Sequence, residues 1–263
     1  MIELHQIAAA LYLAAGIGSL LGLLLPDPRI SRGGAWGLGL AALVHAAAFA
    51  TLHQLDPAPP LTDLAIVLSM SAWMAVLFVL ALMWRLQIFG LAAAIGPVAF
   101  LAVFVAALQL QATGAPANPI SGTWPHAHVL LAAAGFALLG TAGLAGAFFL
   151  LEHRRLKAKL RPMQRAALPS LEALDRVNEV AITVGFTLLS LGVMTGMAWQ
   201  HSELGTLWSG GSHETWMVVA WSIYGGLVAV RFAGHQGARQ SAASALAGFL
   251  FLMFAMIGVG LWT

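Results

Sequence analysis

Residues 169–200 read PSLEALDRVNEVAITVGFTLLSLGVMTGMAWQ, and the text changes character once. Its first part mixes Glu172, Asp175 and Arg176 with Leu171, Leu174 and Val177 at three-residue spacing, the pattern of an amphipathic helix. Pro169 or Ser170 starts that helix, and Glu172 and Asp175 lie near its positive dipole end. The second part, from about 179, is free of Lys, Arg and Asp and is apolar for about 20 residues, enough to cross ~30 Å of hydrocarbon as a helix.

The rest of the chain repeats this second pattern. Hydrophobic residues make up 60% and charged residues 8%, with a mean hydropathy of +0.87, which excludes an ordinary soluble domain. Eight stretches qualify as spans: 4–25, 34–55, 62–83, 89–109, 127–151, 179–200, 215–234 and 241–262. Helices pair every backbone group internally, as hydrocarbon requires; the segments are too long and too unbroken for β-barrel strands. The expected fold is all-α, a polytopic integral membrane protein of eight transmembrane helices forming a single membrane domain over 1–263.

Basic residues set the expected orientation. All twelve Lys and Arg, among them Arg29, Arg32, Arg85, Arg231, Arg239 and the run from Arg154 to Arg176, fall at one end of the proposed spans. By the positive-inside rule that end is cytoplasmic and both termini lie outside, as expected for a multi-pass protein of a bacterial inner membrane. The sequence pI near 9.5 reflects this collar and implies no nucleic-acid partner. Glu3 and His5 replace a basic leader region, so the first span is expected to be retained. With no Cys, the chain offers no disulfide, thiolate metal site or thioether attachment.

Residues 169–200, followed by LWSGGSHETWMVVAWSIY at 207–224, resemble the cytochrome c assembly family of CcsA/CcmC-type heme-handling proteins. That family has a PSLExLDRxN loop, an ITxGFxxLxxGxxTGxxW helix and an outer loop such as WSWDPKETW. Trp208, Ser209, Glu214, Thr215 and Trp216 match the outer loop, whereas Gly210, Gly211, Ser212 and His213 stand where the family has Trp, Asp, Pro and Lys. The resemblance is clearest over 126–262, and the altered loop is most similar to the HemX/YpjD-like branch.

The resemblance implies heme held noncovalently at the outer face. His128, opening HVLLAAAGFALL, matches an axial ligand and is the expected metal ligand; the alternative is a boundary histidine bonded to a carbonyl. Trp208 and Trp216 would cover a porphyrin face or simply belong to an interfacial aromatic belt. His213 would replace a ligand lost elsewhere. His45, deep in the second span, is either part of the site or an interhelical hydrogen-bonding group, with Asp63 as its partner or as a helix cap. The family's further histidines are absent, because the last span ends in GVGLWT and Ala229 occupies another ligand position. A weaker site than a two-histidine one is therefore expected.

Gly18 with Gly22 and Gly192 with Gly196 are small-residue pairs expected to let helices approach closely. The 169–177 helix is expected to lie in the membrane interface or, with the basic part of 152–178, to dock a cytoplasmic protein partner. No enzyme motif is present. The sequence suits a heme-handling membrane protein embedded in the lipid bilayer or a HemX-like heme-free regulator acting through a partner; a secondary transporter is a weaker reading, because intramembrane carboxylates are almost absent and no broken-helix pair is evident. Reporter fusions test the orientation: a periplasmic reporter at Thr263 and a cytoplasmic one near Lys157 should be active, and a cytoplasmic reporter active at Thr263 would refute it.

Overall fold

The computed structural model describes residues 2–25, 28–52, 63–86, 89–112, 123–159, 169–234 and 236–262. Their regular structure is entirely helical: α1 (Ile2–Leu24), α2 (Pro28–Leu52), α3 (Leu64–Leu86), α4 (Ala92–Ala112), α5 (Thr123–Lys157), α6 (Leu171–Leu204), α7 (Ser212–Ala233) and α8 (Ala238–Trp262), with a short 3₁₀ turn at Phe89–Leu91. Each of the eight α-helices contains a stretch long and apolar enough to cross a membrane, so the chain is an all-α polytopic membrane protein. By backbone proximity it divides into two compact units, Met1–Ile120 with Leu160–Ala173, and Ser121–Lys159 with Leu174–Thr263.

In the first unit α1 packs against α2 and α4, and α3 against α4 and α2. The close approach of α1 to α4 occurs at Gly16, where an added Cβ would come within 2.5 Å of the Pro97 ring. Pro97 lies inside α4, where it cannot donate a backbone hydrogen bond, and a glycine opposite it admits the ring. Along α1, Gly22 meets Ser31 of α2, whereas Gly18 has nothing within 4 Å. Of the expected Gly18–Gly22 pair only Gly22 is in close contact; the other close approach is made by Gly16, which two residues of helix turn to a different face from Gly18.

Two helix boundaries differ from the sequence expectation for physical reasons. α2 begins at Pro28 and takes Arg29 and Arg32 into its first turns, proline being favoured at a helix start. The polar run 171–178 is not a separate interfacial helix but the first turns of α6, 34 residues long. The Ser170 hydroxyl accepts the Ala173 N–H and caps it. Leu174 and Val177 are fully buried, and Asn178 donates to the Ala142 carbonyl and accepts from Ser241. The apolar face of this segment therefore belongs to the protein core. Residues 160–168 of the 152–178 segment, like His53 and His235, lie outside the described residues.

In the second unit α8 packs on α5 and α7, and α6 lies along α5 through glycine contacts at Gly135, Gly185, Gly192 and Gly196. An ion pair, Arg231 to Asp175 at 3.2 Å, joins the end of α7 to the start of α6.

Gly16→Val should lower thermal stability in detergent by roughly 1–3 kcal/mol through overpacking against Pro97, while Gly18→Val should leave it nearly unchanged. Equal effects at the two positions would contradict the assignment of the close approach.

Candidate functional site

His128 sits in the second turn of α5, half-buried against α6. Its Nδ1 lies 2.8 Å from the Gly192 carbonyl oxygen. A carbonyl only accepts, so Nδ1 carries the proton, and in the neutral ring Nε2 is left with its lone pair. Gly196, one turn beyond Gly192, lies under the ring: a Cβ there would come within 2.8 Å of Nδ1 and 2.9 Å of Cε1. Thr195 also turns its hydroxyl onto the Gly192 carbonyl at 2.9 Å. The glycine pair 192 and 196 is a packing seam, as expected, and its lower member makes room for the imidazole.

Trp199 packs beside this imidazole, its ring centroid 6.2 Å away and tilted by 39°. The next residue, Gln200, donates to the Glu214 carboxylate at the start of α7. Glu214 also accepts the Ser209 N–H at 2.8 Å and the Ser209 hydroxyl at 2.6 Å. Gly205 and Gly210, at φ of 71° and 78°, turn the chain where a side chain would be strained, and close the loop around this carboxylate. The end of α6, the 205–211 loop and the start of α7 are thereby tied together within a few residues of Trp199.

The expected residues take different places. Trp208 is 44% exposed on that loop, and Trp216 is 43% exposed, edge-on to Phe254 of α8 at 6.5 Å. Neither is in ring contact with His128 among the described residues; Trp199 is. His213 falls in the first turn of α7, but its side chain lies outside the described set. Trp199 and Gly196 were legible as the W and G of the TGxxW text, where spacings of four and seven residues from Gly192 put all three on one side of α6.

His45 belongs to the first unit. It is fully buried, with Nδ1 3.3 Å from the Tyr12 hydroxyl and Nε2 2.8 Å from the Ser69 hydroxyl. Phe49 stacks on it at 4.6 Å, and His5 meets it edge-on at 5.5 Å. Both ring nitrogens are engaged, so it acts as an interhelical hydrogen-bonding group linking α1, α2 and α3. From the end of α2 at Leu52 it is seven residues, or about 10 Å, along the helix. Asp63 is not its partner; its carboxylate accepts the Ala65 N–H at 2.8 Å and caps α3. The burial of His5 is written in the spacing of His5, Ala8, Ala9 and Tyr12, one buried face of α1. Among the described residues no group of three or more His, Cys, Asp and Glu is arranged to hold a bare metal ion.

The family described as "Cytochrome C assembly protein" matches residues 37–263, and the chain belongs to that family. It is similar to the "Cytochrome c biogenesis protein CcsA" of Prochlorococcus marinus (strain MIT 9303), 27% identical over 231 residues that cover 77% of this chain and 73% of the relative. The protein of the same name from Synechococcus sp. (strain CC9605) is 28% identical over 189 residues, 64% of this chain and 62% of the relative. That from Prochlorococcus marinus subsp. pastoris is 39% identical over 89 residues, 34% of this chain and 28% of the relative.

Glu214→Ala removes the common acceptor of Gln200 and Ser209 and should open the 205–211 loop. Limited proteolysis should then cut between Gly205 and Gly211 several-fold faster, with Glu214→Gln intermediate, because an amide keeps one of the accepting oxygens. An unaltered cleavage rate in Glu214→Ala would show that the carboxylate does not hold the loop.

Proposed function

We propose that this chain is a heme-handling membrane protein of cytochrome c assembly, and that it binds heme noncovalently with His128 as axial ligand. The observation that carries the reading is the free Nε2 of an imidazole whose Nδ1 is already committed to the Gly192 carbonyl. A metal-bound histidine is commonly oriented in this way, its second nitrogen donating to a carbonyl. Heme iron accepts neutral imidazole, and the half-buried setting beside Trp199 suits a flat, largely apolar macrocycle. The donor set therefore fits the group. Heme would supply an iron centre with redox character; the chain would hold it, exclude water from one face and present it to whatever receives it.

In this reading the site is external. His128 is 26 residues before Arg154 on the same helix, about 39 Å, and Trp199 is 23 residues after Arg176 on α6, about 35 Å. The candidate site and the basic residues thus occupy opposite ends of helices that run antiparallel. A bacterial cytoplasmic membrane with the basic end inside leaves His128, Trp208 and Trp216 on the outer side. The role is one of binding and transfer, with no catalytic step assigned to a side chain. The chain's similarity to the cytochrome c biogenesis proteins CcsA of Prochlorococcus marinus and Synechococcus sp. supports the assembly reading.

His128→Ala should abolish or shift the Soret band of protein purified from a heme-replete host, because an axial imidazole governs both retention and spectrum. His126→Ala should do far less, since two positions along a helix turn the side chain by about 200°. Gly196→Val should reproduce much of the His128→Ala effect by displacing the ring. Heme-free wild-type protein from such a host, or an unaltered spectrum in His128→Ala, would move the assignment to the heme-free regulator.

A further inference from the structure

At the opposite end of the second unit, a cleft opens between α6, α7 and α8, lined by Ile182, Tyr224, Arg231, Gln236, Ser241 and Ser244. It is open to the outside, and the space inside it takes about one water-sized group. Two of its lining residues carry a buried polar atom without a hydrogen-bond partner, the Tyr224 hydroxyl and Gln236 Oε1. Tyr224 is 1% exposed and the Arg231 side chain 9%. One guanidinium nitrogen of Arg231 donates to Asp175 at 3.2 Å, which leaves donors of that group to spare. The Ser241 hydroxyl donates to Asn178 and is not available as a donor to a ligand.

Leaving a buried polar group unpaired costs about 1–3 kcal/mol, so two of them around one cleft mark a place where a bonding partner is missing. The missing partner has a definite character. Tyr224 and Arg231 give hydrogen bonds, and an oxygen-rich anionic group takes them. Gln236 Oε1 accepts, and so needs a donor next to that anion. Charges of both signs surround it, with Arg176 and Arg239 exposed at the starts of α6 and α8 and Glu172 and Glu179 exposed beside them on α6. Basic pockets between spanning helices are where lipid headgroups bind.

We propose that this cleft binds the phosphodiester headgroup of a membrane lipid that carries its own hydrogen-bond donor, as ethanolamine and glycerol headgroups do. One phosphate oxygen enters the cleft between Tyr224 and Arg231, and the ammonium or hydroxyl of the headgroup faces Gln236. A choline headgroup supplies the phosphate but not the donor. A lipid held there packs against the antiparallel turn from α7 to α8 and keeps the Asp175–Arg231 tie out of water.

The test uses the full chain purified in detergent and exposed to equal amounts of phosphatidylethanolamine, phosphatidylglycerol and phosphatidylcholine with identical acyl chains, with bound lipid counted by native mass spectrometry. Wild-type protein should retain the first two over phosphatidylcholine by about fivefold, the value of one hydrogen bond of ~1 kcal/mol. Tyr224→Phe should lower retention of all three, and Gln236→Leu should erase the preference over phosphatidylcholine. Both variants remove an unpaired buried group and should not lower thermal stability without lipid, which separates loss of binding from loss of fold. Retention untouched by either substitution, or phosphatidylcholine held as well as the others by wild type, would overturn the proposal. Inorganic phosphate or glycerol phosphate raising the unfolding temperature in a Tyr224-dependent way, with no lipid retained, would also overturn it in favour of a soluble phosphate ligand.

Discussion

The hydrogen bond from the His128 imidazole to the Gly192 carbonyl is the contact on which the second unit's chemistry depends, because it decides which ring nitrogen remains available. It exists only because α5 and α6 approach closely there. Gly192 admits the Ala132 backbone, with an added Cβ 3.0 Å away, and Gly196 admits the ring itself. In a bilayer, where lipid is as apolar as the side chains, such backbone approach is a main source of helix association. The same glycines therefore serve packing and ligand presentation. The packing also reaches the loop: Trp199 and Gln200 follow Gly196 within four residues, and Gln200 passes the connection to Glu214 and Ser209.

The first unit spends its polar groups differently. His45, Tyr12 and Ser69 satisfy one another in a buried cluster flanked by His5, Phe49 and Trp73, and the Trp73 indole donates to the Ala42 carbonyl at 2.9 Å. An unsatisfied imidazole in an apolar interior costs several kcal/mol, so a histidine this deep either finds partners or a ligand. His45 has found partners on two neighbouring helices. His128, by contrast, has spent one nitrogen and kept the other. That difference in hydrogen-bond accounting separates a structural histidine from a candidate ligand.

The eight spans were legible because hydropathy over about 20 residues is a strong signal, and the family was legible in the PSLE-to-TGxxW text and the loop from Trp208 to Trp216. Residues that act through neighbours far along the chain were harder to read. The pairing of His45 with Ser69 instead of Asp63, the use of Gly16 instead of Gly18, and the burial of Leu174 and Val177 all depend on which helix lies opposite. Periodicity gives a face but not its partner. Trp199 was visible in the motif, yet only the approach of α5 to α6 places it beside His128.

The central claim is that His128 presents an unprotonated Nε2, and ¹⁵N magnetic resonance of histidine-labelled protein, assigned by comparison with His128→Gln, tests it most directly. The account predicts for the neutral ring of the heme-free protein a protonated Nδ1 and a Nε2 with the shift of a bare lone pair, and loss of that Nε2 signal when heme is added. A His128 ring protonated at Nε2 with Nδ1 bare, or signals indifferent to heme, would contradict it.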